Sequence, residues 1–217
     1  MLVSSRSAEE YRAFFALTDD DLAGRVLDCS AGASGFTAAL GAAGADVTAV
    51  DPTYVDRDAL RDEVARSAAA GVALVDAHDD RFTWSWYGSP ARRRELREAA
   101  LAAFLDDLDA RPDRYVVGAL PDLPFEDDAF DLALCSHLLF TWAGSFDAEW
   151  HHAALTELLR VADEVRVYPL VHLGAGEPVA FLPALLDRLR SEGRTVRLVP
   201  VAYEFQVGAT QMLVVRR

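Results

Sequence analysis

Apolar runs of strand length alternate along this chain with segments whose apolar residues recur at helical spacing. That alternation predicts an α/β protein with a mostly parallel sheet. Residues 7–17 read as an amphipathic helix with Tyr11, Phe14, Phe15 and Leu17 on its apolar side. A short buried strand at 25–28 precedes an Ala-rich helix at 34–43, and a strand at 46–50 precedes a helix at 56–69. A longer helix at 90–110 carries the stripe Leu96, Leu101, Phe104, Leu105 and Leu108. Strands follow at 115–117, 130–136 and 164–169, with helices at 149–161 and, after a Gly/Pro-containing loop, at 179–192. The last two strands, 195–202 and 211–216, are joined by a connection too short for a crossover helix, so they are expected to pair antiparallel.

The pattern predicts one domain over 1–217, with 1–24 as an N-terminal helical cap and 75–111 as a helical insert. The insert is longer than a usual connection and carries Phe82, Trp84, Trp86 and Tyr87 ahead of Gly88-Ser89-Pro90. Such a run is either a lid or wall against a substrate, with Trp84, Trp86 and Tyr87 as contacts, or packing that seats the extra helix.

Composition narrows the function classes. With 217 residues, 52% hydrophobic, the chain can bury a substantial core. Its net charge of −14 repels phosphate backbones and anionic membranes, so neither nucleic acid nor membrane is the expected partner. No apolar run approaches the ~20 residues of a membrane helix, and the first residues lack the basic-then-apolar pattern of a secretion signal. Every basic residue is Arg; without Lys there is no Schiff-base or Walker-type chemistry. Two cysteines, Cys29 and Cys135, make a disulfide scaffold improbable and point to an intracellular, cytoplasmic protein. His151 and His152 are adjacent on a helix, pointing ~100° apart, which is poor metal geometry.

The richest constellation runs from Arg25 to Asp51. A strand ends at Asp28, a small-residue loop follows (Cys29-Ser30-Ala31-Gly32-Ala33-Ser34-Gly35), a helix begins, and the next strand ends at Asp51. Gly32 and Gly35 permit a tight turn and close approach of a ligand, and the helix start offers free N–H groups. Asp51, roughly 20 residues on, stands where a carboxylate can accept both hydroxyls of a ribose. The dinucleotide fingerprint is incomplete, because Ser30 occupies its first glycine position. The carboxylate of Asp28 suits a ligand with a positive amino group better than a pyrophosphate.

This run resembles motif I of class I S-adenosylmethionine-dependent methyltransferases, with Asp28, Gly32 and a displaced Gly35 retained. Downstream, Leu123-Pro124-Phe125 leading into Phe130-Asp131-Leu132 resembles the approach to that family's fourth strand, and 155–161 resembles the helix before its fifth. The resemblance spans residues 25 to the C-terminus and implies a doubly wound Rossmann-like sheet, mostly parallel, with a C-terminal antiparallel hairpin. It implies S-adenosyl-L-methionine as cofactor and a small molecule as methyl acceptor. Asp28, Ser30, Ala31, Gly32 and Gly35 would then face the methionine part. Asp51 would hold the ribose, with Pro52 or Tyr54 beside the adenine, and Ala119 and Leu120 would flank the base. Cys135, Ser136 and His137 would line the reacting end, His137 being the candidate base, while Tyr11 and Phe14 close over it. Ala119 stands where many relatives carry an adenine-binding acid. Two other readings remain open: a cofactor-binding protein without turnover, and a nicotinamide-dependent oxidoreductase on a related fold.

Overall fold

The computed structural model describes residues 3–173 and 179–217. The Gly/Pro-containing loop expected before the last helix falls at 174–178, and the first two residues of the N-terminal cap at 1–2; both lie outside the described residues.

Seven strands form one sheet: β1 (Arg25–Cys29), β2 (Asp46–Val50), β3 (Tyr115–Val116), β4 (Phe130–Ser136), β5 (Ala162–Tyr168), β6 (Thr195–Pro200) and β7 (Gln211–Arg216). Their order is β3-β2-β1-β4-β5-β7-β6, and only β7 runs against its neighbours. This is the doubly wound sheet with a reversed terminal pairing that the alternation and the resemblance imply. Cys29 and Cys135 lie side by side in the β1–β4 register, both buried and free.

Six helices flank the sheet: α1 (Ala8–Phe14), α2 (Phe36–Ala42), α3 (Arg57–Ala77), α4 (Pro90–Ala110), α5 (Ala148–Val161) and α6 (Leu182–Ser191). The period of two along β4 divides the core. Ala133 and Cys135 pack with Leu155, Leu158 and Leu189 of α5 and α6. Leu132 and Leu134 face the aromatic cluster of Tyr11, Phe14, Phe36 and Tyr168. The start of α1 is fixed by a capping box: Ser7 Oγ accepts from the Glu10 N–H, and Glu10 accepts from the Ser7 N–H.

Two expectations need revision. The third helix continues from 69 to Ala77, through Gly71. The flanking Ala and Val residues carry the helix past one half-buried glycine, whose cost is only ~1 kcal/mol. α1 is shorter than 7–17, ending at Phe14, with Ala16 in the left-handed region (φ 48°).

The insert is held down along its length. Phe82 stacks on Phe205 at 4.8 Å and bridges to Gln206, both in the connection between β6 and β7. Tyr87 is buried, donating to Glu10 of α1 and sharing a hydrogen bond with Tyr203.

Candidate functional site

The strand order reverses between β1 and β4, where open α/β sheets bind ligands beyond their carboxyl ends. There a cavity of about 630 Å³ opens. Ser30, Ala31, Gly32, Asp51, Pro52, Ala119, Leu120, Ser136, His137 and Tyr11 all line it. The structure thus gathers most of the sequence-derived cofactor residues at one crevice.

Two backbone positions shape it. Ser30, at the tip of β1, has φ 58°, and His137, at the tip of β4, has φ 55°. Both are in the left-handed region, which a non-glycine residue occupies at a cost of order 1–3 kcal/mol. Ser30 therefore takes the conformation for which glycine is the usual choice. Gly32 has φ +56° and lies under the N-terminal segment, close to Val3 and Ser4.

Three expected residues are not on the cavity wall. Gly35 is required by packing instead: a Cβ there would meet the Ala100 carbonyl oxygen of α4 at 2.7 Å. Cys135 is buried in the sheet. Asp28 is fully buried behind Tyr11, whose hydroxyl donates to Asp28 Oδ1 at 2.9 Å and lies 3.1 Å from Ser136 Oγ. The second oxygen, Oδ2, is buried without a hydrogen-bond partner. Burial raises this carboxyl to about 8 against the hydrogen bond from Tyr11, with Asp51 adding repulsion.

Asp51 is partly engaged already. Oδ1 accepts from the Thr53 N–H (2.9 Å) and hydroxyl (2.5 Å), and Oδ2 from the Gly32 N–H (2.9 Å). A carboxylate offers about four acceptor positions, so one remains for an incoming hydroxyl unless Thr53 rotates away. Tyr54 is buried on Phe104 and Tyr115, its hydroxyl donating to the Gly32 carbonyl; it braces the glycine loop from behind. Phe14 is wholly buried, stacked on Tyr168.

A second cavity, about 430 Å³, lies alongside. Trp84 and Phe82 line it, whereas Trp86 packs on Tyr87 and Tyr203 behind the wall, and Tyr87 is tied to Glu10. Tyr11 belongs to the first cavity, not this one. His137, Arg6 and Trp142 line both cavities. Burial, then Arg6 and Arg97, hold the His137 imidazole well below its usual range, so it is neutral at pH 7, with Nδ1 buried and unpaired. His151 is structural, its ring nitrogens meeting the carbonyls of Asp147 and Leu139. Arg6 and Trp142 gave no sequence signal, because neither sits in a patterned motif.

Residues 91–164 match a family model described as a methyltransferase domain. This stretch includes Ala119, Leu120, β4 and His137 but not the glycine loop, which the fold supplies. Over these residues the chain is similar to a methyltransferase domain, and its sheet has the order of the class I methyltransferase fold. The chain is 26% identical to an uncharacterized protein, MJ0045, of Methanocaldococcus jannaschii, across 98% of this chain and 94% of that one. Its fold is similar to that of magnesium protoporphyrin IX methyltransferase from Synechocystis PCC 6803, solved with bound S-adenosylmethionine. That similarity has a TM-score of 0.50 and 15% identity, covering 97% of this chain and 77% of that one. It is also similar to the bifunctional kinase-methyltransferase WbdD, with a TM-score of 0.51 and 13% identity, covering 96% of this chain and 38% of that one. Among the described residues, no helix is long and apolar enough to cross a membrane.

The similar magnesium protoporphyrin IX methyltransferase was solved with S-adenosylmethionine, so the crevice is to be judged against that molecule. Asp28 supplies the test: a buried carboxylate oxygen without a partner fits a cationic ligand and would gain from one. Asp51 supplies the acceptor for a ribose hydroxyl.

Proposed function

We propose that this methyltransferase moves a methyl group from S-adenosyl-L-methionine to a small-molecule acceptor held in the second cavity. The observation that carries the reading is that His137 lines both cavities, on the tip of the strand beside the glycine loop. When bound, the cofactor supplies a methyl group already activated by its sulfonium. The chain's own residues then have little covalent work to do. Asp28, buried behind Tyr11, is an ionisable carboxyl beneath the crevice whose charged form a positive ligand group favours; Asp51 and the Gly32 turn hold the sugar end. Leu120 and Pro52 offer apolar surface for the base.

Tyr11 keeps Asp28 oriented and seals it from water. His137, neutral and with Nδ1 free of other partners, takes a proton from an acceptor that must lose one. Trp84 forms part of the acceptor's wall. The net charge of −14 favours a small acceptor over a nucleic acid. A cytoplasmic site of action fits the cysteine usage.

The test is calorimetric titration with S-adenosylhomocysteine and, in parallel, NAD, followed by a labelled-methyl transfer screen on small-molecule extracts. One-to-one binding of S-adenosylhomocysteine with transfer to a low-mass product is expected. Stabilisation by NAD alone would turn the reading toward an oxidoreductase, and tight cofactor binding without transfer toward a non-catalytic binder.

A further inference from the structure

An acidic protein has concentrated positive charge in its second cavity. Arg6, Arg93 and Arg97 all line it. Arg97 is 14% exposed and Arg6 11% exposed at the side chain. Only one buried carboxylate faces them: Glu10 accepts from Arg97 Nε at 3.0 Å and lies 3.6 Å from Arg6. Burial disfavours its charge, but Arg97 and Arg6 hold it below the usual range, so it is ionised. Among the described residues the tally is three half-buried guanidiniums against one buried carboxylate. Asp76, Glu98 and Arg94 also line this cavity but are exposed to solvent, where their fields are screened.

Arg93 is the informative member. Among the described residues, its guanidinium has no ion pair and no hydrogen-bond partner, and Nε is buried. It rests 4.7 Å over the Phe205 ring, which fixes its plane while leaving its N–H edge free. Arg6 Nε and Thr141 Oγ1 are further buried atoms without a hydrogen-bond partner, both on residues of this cavity. Leaving a charged donor unpaired in a buried setting is costly, and a ligand's oxygens remove that cost. The cofactor's own carboxylate does not account for the set. Arg6 is shared with the first cavity, but Arg93 and Arg97 line the second alone.

We propose that the methyl acceptor carries an anionic oxygen group, a carboxylate or a phosphate, held by Arg93 with Arg97 and Arg6. Its apolar body lies against Trp84 and Phe82. This rests on the methyl-transfer reading above, of which it names the substrate class.

The test uses benzoate, phenyl phosphate and the neutral benzamide as probes, titrated with and without S-adenosylhomocysteine in a buffer free of multivalent anions. Wild type, Arg93→Met and Arg93→Gln are compared; Arg93 is chosen because, unlike Arg97, it anchors no ion pair, so folding survives. An anionic probe should bind about tenfold or more tighter than benzamide, as one charge-assisted hydrogen bond allows. Both variants should lose that preference while keeping S-adenosylhomocysteine affinity. Whether benzoate or phenyl phosphate is preferred identifies the group. Equal binding of benzamide, no binding of either anion, or a preference that survives in both variants overturns the proposal. Failure of S-adenosylhomocysteine to bind while the anion preference persists removes the methyl-transfer reading and leaves the anion site standing.

Discussion

The hydroxyl of Tyr11 donates to one oxygen of Asp28 at 2.9 Å and leaves the other buried without a partner. The contact ties the N-terminal helix to the tip of β1. It makes Tyr11 a positioning residue for the carboxylate, where the resemblance implies closure over the reacting end. A half-satisfied buried acid is a standing cost to the fold, and it gives the site its appetite for a cation.

Asp28→Asn should therefore stabilise the free protein and weaken the cofactor complex. The Asp28 carboxyl titrates at about 8 in the fold, above its value in an unfolded chain. Its contribution to stability is fully present below the unfolded value near 4 and is lost as pH rises through about 8. Thermal melts between pH 5 and 9 should show the wild type losing stability relative to the variant. At the alkaline end the gap should be roughly 1–3 kcal/mol in favour of Asn, the penalty of an unpaired buried polar group. Calorimetry should show S-adenosylhomocysteine binding at least about tenfold weaker to the variant.

Tyr11→Phe removes a donor that favours the ionised form of Asp28. The carboxyl should titrate higher still, and the pH at which cofactor binding reaches half its maximum should move upward. A pH series of binding isotherms checks this; an unchanged midpoint would show that the hydroxyl does not tune the acid.

The two loop glycines should respond differently to alanine. Gly35→Ala drives a Cβ into α4 backbone, 2.7 Å from the Ala100 oxygen and 2.8 Å from its Cα. Neither atom yields without moving the helix, so a loss of ~1–3 kcal/mol is expected in chemical denaturation. Gly32→Ala meets nothing closer than Val3 Cγ1 at 3.4 Å, and its cost is the left-handed backbone, ~1–2 kcal/mol. Its larger effect should be on S-adenosylhomocysteine affinity, because Gly32 lines the crevice.

His137→Asn keeps a residue that tolerates the left-handed backbone and removes the base. Cofactor affinity should stay within a few-fold, while transfer to an acceptor that must lose a proton should fall ~10²–10⁴-fold. Proton NMR of the wild type should find the imidazole neutral throughout the neutral range, with its titration displaced well to acid.

The class of the fold, the succession of its elements and most of the crevice could be read locally. A short buried strand ending in Asp28, a glycine turn and a second strand ending in Asp51 are contiguous features, and β4 announces itself by the apolar run from Leu132 to Cys135. The sheet then brings Ser136 and His137 beside that turn, because β1 and β4 are neighbours. Tertiary packing alone decided what each side chain of these segments does. Gly35 proved a packing glycine, since α4 crosses it. Of the insert's aromatic run, Trp84 reached a cavity, while Trp86 and Tyr87 turned inward against Tyr203. Arg93 and Arg97 share one face of α4 by their spacing of four, but their convergence with Arg6 has no local signature: the segment before α1 and α4 are folded onto one cavity, and a charge becomes informative only when burial takes away its water.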